Sequence, residues 1–172
     1  MILIGFMGSG KTTVGRILAE KLAIPQFDLD EKLVENLEMS ISEYFALHGE
    51  NAFRQKESEL LAKYSHAQAV ISTGGGIVLR EENRKLLKNR KDVIFLSTDT
   101  NELISRLQND KKNIRPLAQD KTPEEIQALL EGRLPFYEES ASVIIETKNK
   151  TPEEIAEEIL FQKNEIYEEV NK

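Results

Sequence analysis

Short apolar runs alternate along the chain with longer segments in which apolar residues recur every three or four positions. Residues 1–4 form the first run, and residues 13–22 follow with Val14, Ile17, Leu18 and Leu22 at helical spacing. Residues 24–30 read as a second strand, with Pro25 at its start, where a missing N–H costs least. Further strands are predicted at 69–72, 92–97 and 141–146. Helix starts announce themselves between them. Ser40 is followed three residues later by Glu43, and the Thr122-Pro123-Glu124-Glu125 device recurs as Thr151-Pro152-Glu153-Glu154. Helices are also expected after Glu31, over 81–88 and over 100–108, while Gly49 interrupts the one that begins near Ser40. The last helix ends in an acidic stretch, 164–172, expected to lie in solvent.

Strands alternating with helices imply an α/β fold: a five-stranded parallel sheet covered on both faces. A chain of 172 residues, 40% apolar and 31% charged, reads as one domain, 1–172, with no linker or repeat. The absence of cysteine excludes disulfides and thiolate metal sites. No leader and no long apolar run is read, so a cytoplasmic protein without membrane contact is expected. The net charge of −7 argues against nucleic acid as a partner. An anionic ligand then needs a local cluster of cations.

The chemistry starts at Gly5-Phe6-Met7-Gly8-Ser9-Gly10-Lys11-Thr12, a P-loop set between strand and helix. Its backbone amides, from Gly8, Ser9 and Gly10 into Thr12 and Thr13 at the helix N-terminus, suit the phosphates of a nucleoside triphosphate. Lys11 neutralises the terminal phosphates, and the Thr12 hydroxyl suits Mg²⁺. At the end of the second strand, alternation puts Asp28 and Asp30 on one side, at the sheet edge where ligands bind; equally, Asp30 could cap the next helix. Arg54 with Glu57 at i+3 reads from spacing as a surface ion pair, with a rigid carboxylate-binding arginine as the other reading. Gly74-Gly75-Gly76 marks close backbone approach, positive φ or a plain hinge. Residues 109–118 are polar and rich in cations, as in a lid that closes over phosphate or in a plain exposed loop.

Taken in order, the P-loop, Phe27-Asp28-Leu29-Asp30, Phe53-Arg54, Ser72-Thr73-Gly74-Gly75-Gly76, Arg115-Pro116-Leu117 and Arg133-Leu134-Pro135-Phe136-Tyr137 closely resemble the shikimate kinase family. The resemblance runs from residue 1 to about residue 160. It implies a three-layer P-loop kinase fold of the nucleoside-monophosphate-kinase type, sheet order 2-3-1-4-5, with a substrate-binding region at about 31–61 and a mobile lid at about 109–121. The implied reaction is ATP-dependent phosphorylation of the 3-hydroxyl of shikimate, in a monomer. By resemblance, Asp30 is the base and binds the substrate hydroxyls. Arg54 and Arg133 hold the carboxylate, Glu57 orients Arg54, and Gly74, Gly75 and Gly76 floor the substrate site. Thr12 ligates Mg²⁺ directly, with Asp28 and Ser72 acting through water. Arg115 reaches the ATP phosphates from the lid and is counted with Lys11 among the catalytic groups. Arg106 matches an adenine-side arginine, and Lys150 stands where relatives often carry a second one. A same-fold kinase for another hydroxy acid, such as gluconate, is the alternative; a nucleotide-dependent binding module without phosphotransfer is a third reading.

Overall fold

A strand buried on both faces has no reason to alternate, and the first strand, β1 (Ile2–Ile4), does not: all three residues are fully buried. The computed structural model describes residues 1–109 and 121–170, with side chains described as far as Lys163. Arg115 and nearly all of the expected lid lie outside those residues. After β1 come α1 (Lys11–Leu22), β2 (Gln26–Asp28), α2 (Leu29–Leu37) and α3 (Ile41–Tyr64). Then follow β3 (Val70–Ser72), α4 (Glu81–Lys88), β4 (Val93–Ser97) and α5 (Thr100–Asn109). The chain closes with α6 (Pro123–Ser140), β5 (Val143–Glu146) and α7 (Pro152–Val170).

The five strands pair in parallel in the order β2-β3-β1-β4-β5. Central β1 pairs Ile2 with Ile71 on one side and with Val93 on the other. The pleat sends Ile2 and Ile4 to one face, where they pack with Leu87, Leu103, Ile126 and Tyr137 from α4, α5 and α6. Leu3 points the other way, into Val14 and Leu18 of α1 and Ile155 and Ile159 of α7. Each such side chain contributes about 1.5–3 kcal/mol by leaving water, so the two layers hold the strand ends in fixed relation. A separate cluster around Leu33, Phe53 and Leu60 joins α2 to α3.

Local signals act as expected at most helix starts. Ser40 and Glu43 cap α3 reciprocally, and Thr122 and Glu125 do the same for α6. Gly49 breaks helical geometry inside α3, at φ 78° and ψ 171°. One expectation is corrected. Strand β2 stops at Asp28, whose carboxylate accepts from the Asp30 amide at 3.0 Å and caps α2. Asp30 therefore belongs to the first turn of a helix rather than to the strand, and it is Asp28 that caps. Close packing of α1 on the sheet depends on Gly15, where a Cβ would lie 2.7 Å from both Gln26 Nε2 and Ser72 Oγ. Among the described residues no helix is long and apolar enough to cross a membrane.

Gly132, in the exposed middle of α6, has nothing within 4 Å of the position its Cβ would take. Gly132→Ala is expected to stabilise the protein by about 0.5–1 kcal/mol, through lost unfolded-state entropy. A thermal unfolding midpoint about 1–4 °C higher checks it.

Candidate active site

The P-loop wraps its own lysine. Gly8 and Gly10 take φ of 81° and 93°, turning the backbone around Lys11, which is 8% exposed. Lys11 Nζ donates to the carbonyls of Gly5 at 2.9 Å and Phe6 at 2.8 Å. Gly10, the N-cap of α1, brings no capping side chain, so the first-turn amides of Thr12 and Thr13 are left for an anion. Arg106, on α5, donates from Nη1 to the Gly8 carbonyl at 3.0 Å and from Nη2 to Glu102 at 2.6 Å. It is thus fixed at the rim of the loop. Lys150 lies at the start of the α7 segment, where its ammonium donates to Glu158 at 2.5 Å.

Beside the loop, Thr12 Oγ1 donates to Asp28 Oδ2 at 2.6 Å. Ser72 Oγ donates to the Lys11 carbonyl at 3.1 Å. Gln26 Nε2 donates to the Thr12 carbonyl at 2.8 Å and to Ser72 Oγ at 3.3 Å. A hydroxyl and a carboxylate side by side form a hard-oxygen pair of the kind Mg²⁺ accepts when phosphates and water complete its shell. No group of three or more His, Cys, Asp or Glu side chains capable of holding a metal occurs among the described residues.

The second half of the site is assembled on residues 74–76. A Cβ on residue 74 would stand 2.7 Å from Asp30 Oδ1 and 2.7 Å from Glu57 Oε1, so two carboxylates converge there. A Cβ on residue 75 would stand 2.9 Å from the Met7 amide, which brings the turn against the P-loop. Where residue 76 would carry its Cβ stands the Arg54 guanidinium. The three glycines serve close approach, not positive φ. Arg133 reaches the same turn from α6, donating from Nη1 to the Gly75 carbonyl at 3.2 Å over the Phe6 ring.

The reading of Arg54 and Glu57 as a surface pair is overturned. They are 6% and 3% exposed, and Nη1 donates to Glu57 Oε2 at 2.5 Å. Spacing makes them neighbours on α3, and the glycine turn then covers that face. Glu50, one turn earlier, accepts from Nη2 at 3.1 Å and from Nε at 3.3 Å. Burial works against the Arg54 charge, and the two carboxylates outweigh it, raising its pKa. Burial pushes the Glu57 carboxyl up to about 7, against the pull of Arg54. Gly15, Gln26, Glu50 and Tyr137 also shape the site without having been singled out from the sequence. Of these only Tyr137 lay within a quoted motif.

A phosphate nest with its lysine, facing a cleft of carboxylates and guanidinium groups across one sheet edge, defines a phosphotransferase of the P-loop kinase class. The family model for shikimate kinase matches residues 7–163. The shikimate kinase of Enterococcus faecalis is 50% identical over 96% of this chain and 98% of its own. That of Streptococcus gordonii is 48% identical over 91% and 95%. A solved shikimate kinase from Acinetobacter baumannii, in complex with shikimate, is 38% identical with a TM-score of 0.86, covering 92% of this chain and 89% of that one. This chain belongs to the shikimate kinase family. A gluconokinase from Sinorhizobium meliloti, 18% identical with a TM-score of 0.58, shares the fold alone.

A carboxyl whose pKa is higher folded than unfolded stabilises the fold below its unfolded value, and that contribution is lost as pH rises through the folded value. Glu57 moves from 4.5 to about 7, so wild type is expected to lose stability relative to Glu57→Gln over that window, by on the order of 3 kcal/mol, and no further above it. Chemical denaturation of both proteins between pH 4.5 and 8 measures this. Parallel pH profiles would contradict the shift.

Proposed function

We propose that this chain transfers the γ-phosphoryl group of ATP to the 3-hydroxyl of shikimate, giving shikimate 3-phosphate and ADP on the route to chorismate and the aromatic amino acids. The observation that carries the reading is the convergence of Asp30, Arg54 and Arg133 on the turn at 74–76, against the P-loop. The acceptor implied by that arrangement has a carboxylate at one end and a hydroxyl at the other.

In this reading Arg54 and Arg133 hold the carboxylate, since a planar guanidinium matches it with paired hydrogen bonds. Glu57 keeps Arg54 in orientation, and the 2.5 Å contact between them supports that role. Asp30 accepts the proton of the attacking hydroxyl as its oxygen bonds to the γ-phosphorus. The bond from that phosphorus to the bridging oxygen breaks, and the charge leaves with ADP. Lys11 and the loop amides stabilise charge on the phosphate oxygens, as phosphoryl transfer demands more of positioning than of covalent help. Arg106 and Lys150 serve the nucleotide, and Arg115, from the lid, adds a further cation to the phosphates. Thr12 would hold Mg²⁺ directly, with Asp28 and Ser72 reaching it through water. The ion, when bound, neutralises phosphate charge. The carboxylate–hydroxyl contact at 2.6 Å fits such an ion. The enzyme acts as a cytoplasmic monomer of one domain, with 31–61 as the substrate-binding region and 109–121 as the lid.

Coupled ADP-release assays with shikimate and with gluconate test the reading, and activity on gluconate alone would refute it. Asp30→Asn is expected to lower kcat by about 10²–10⁴-fold. Arg54→Ala should act mainly through the KM for shikimate, raising it by roughly 10–100-fold, because a charge-assisted contact to a non-reacting carboxylate is lost. Both are measured by steady-state kinetics at saturating ATP.

A further inference from the structure

Within the glycine turn the Gly74 carbonyl accepts from the Ile77 amide at 3.2 Å and the Gly76 carbonyl from the Leu79 amide at 3.0 Å, whereas the Gly75 carbonyl between them is held by side chains from α6. Tyr137 is fully buried on α6, and its ring stacks on Phe95 of β4 at 5.0 Å and 17°. Its hydroxyl donates to the Gly75 carbonyl at 2.5 Å. Arg133 Nη1 donates to the same oxygen at 3.2 Å, so two donors fill the acceptor capacity of one carbonyl. The chain downstream is held in the same way. Asn83 Nδ2 donates to the Ile77 carbonyl at 2.8 Å, and Arg84 Nη1 donates to those of Val78 at 2.8 Å and Leu79 at 3.0 Å.

We propose that Tyr137 is a positioning residue for the acceptor: its hydroxyl anchors the Gly75 carbonyl and thereby sets the peptide on which the substrate rests. This rests on the shikimate kinase reading above. With no cis peptide in the described chain, the Gly76 N–H points opposite to the Gly75 carbonyl. Pinning the carbonyl to α6 therefore turns that N–H away from α6. The same bond fixes the neighbouring Arg133 guanidinium, because both donors share one oxygen. Burial raises the phenol to about 12, so the hydroxyl stays a donor at any working pH.

Tyr137→Phe keeps the ring stack and removes only the anchor. It is expected to raise the KM for shikimate by about five- to tenfold, the worth of one buried hydrogen bond, while the KM for ATP stays within about twofold. KM does not depend on the fraction of enzyme that is folded, so a partly misfolded preparation still reads out. Ser140→Ala provides the comparison, since the buried Ser140 hydroxyl donates to Phe136 on the same helix at 2.7 Å. It should lower the unfolding temperature and leave the shikimate KM unchanged. A Tyr137→Phe enzyme with wild-type KM for shikimate, or with both KM values raised in parallel, overturns the proposal. A wild-type enzyme that forms no ADP with shikimate overturns the functional reading first, and is told apart by that assay.

Discussion

Arg54 stands in the space that a Cβ on residue 76 would need, and the cleft beside the P-loop is built around that exclusion. A guanidinium that is 6% exposed cannot stay buried unless carboxylates face it, and Glu57 and Glu50 do so. Glu57 in turn is forced toward Gly74, beside Asp30. The missing side chains at residues 74 and 76 thus let the Arg54 guanidinium and the carboxyls of Asp30 and Glu57 share a small volume. A buried pair of this kind does little for net stability. Its value lies in holding a charged group still before a ligand arrives, which is what tight positioning for phosphoryl transfer requires.

The sheet order supplies the second half of the arrangement. Because β1 lies between β3 and β4, the loop that follows β1 sits directly beside the turn that follows β3. A Cβ on Gly75 would reach 2.9 Å from the Met7 amide, so the glycine turn and the P-loop are in contact rather than merely near. β2 flanks β3 on its far side, and its last residue, Asp28, reaches Thr12 in the first turn of α1. Gly15 and Gln26 make that reach possible by letting α1 settle on β2 and β3. The P-loop and the glycine turn are therefore parts of one sheet edge.

Much of this was legible in the residues themselves. The P-loop context, the five strands and the capping signals at Ser40, Thr122 and Thr151 are local patterns, and local patterns survive folding. The residues that misled are those whose role is decided by distant chain. An Arg–Glu pair at i,i+3 looks the same on a surface as in a core, and only the later arrival of residues 74–76 buries it. At β2 a signal was present and was outweighed by alternation: Asp28 with Glu31 three residues on is itself a helix-start pattern. Tyr137 differs from its neighbour Phe136 only by a hydroxyl, and nothing along the chain says that the hydroxyl meets Gly75. Family resemblance bridged part of that gap for Arg54 and Arg133, because it carries three-dimensional information that spacing lacks.

The arginine proposed to hold the acceptor carboxylate is seated against backbone that has no side chain. Calorimetric titration of Gly76→Ala with shikimate examines that seat alone, because the added methyl must displace the Arg54 guanidinium while leaving the P-loop untouched. Shikimate affinity is expected to be at least about tenfold weaker, with ATP affinity unchanged. Wild-type affinity for shikimate in that variant would contradict the proposed role of Arg54.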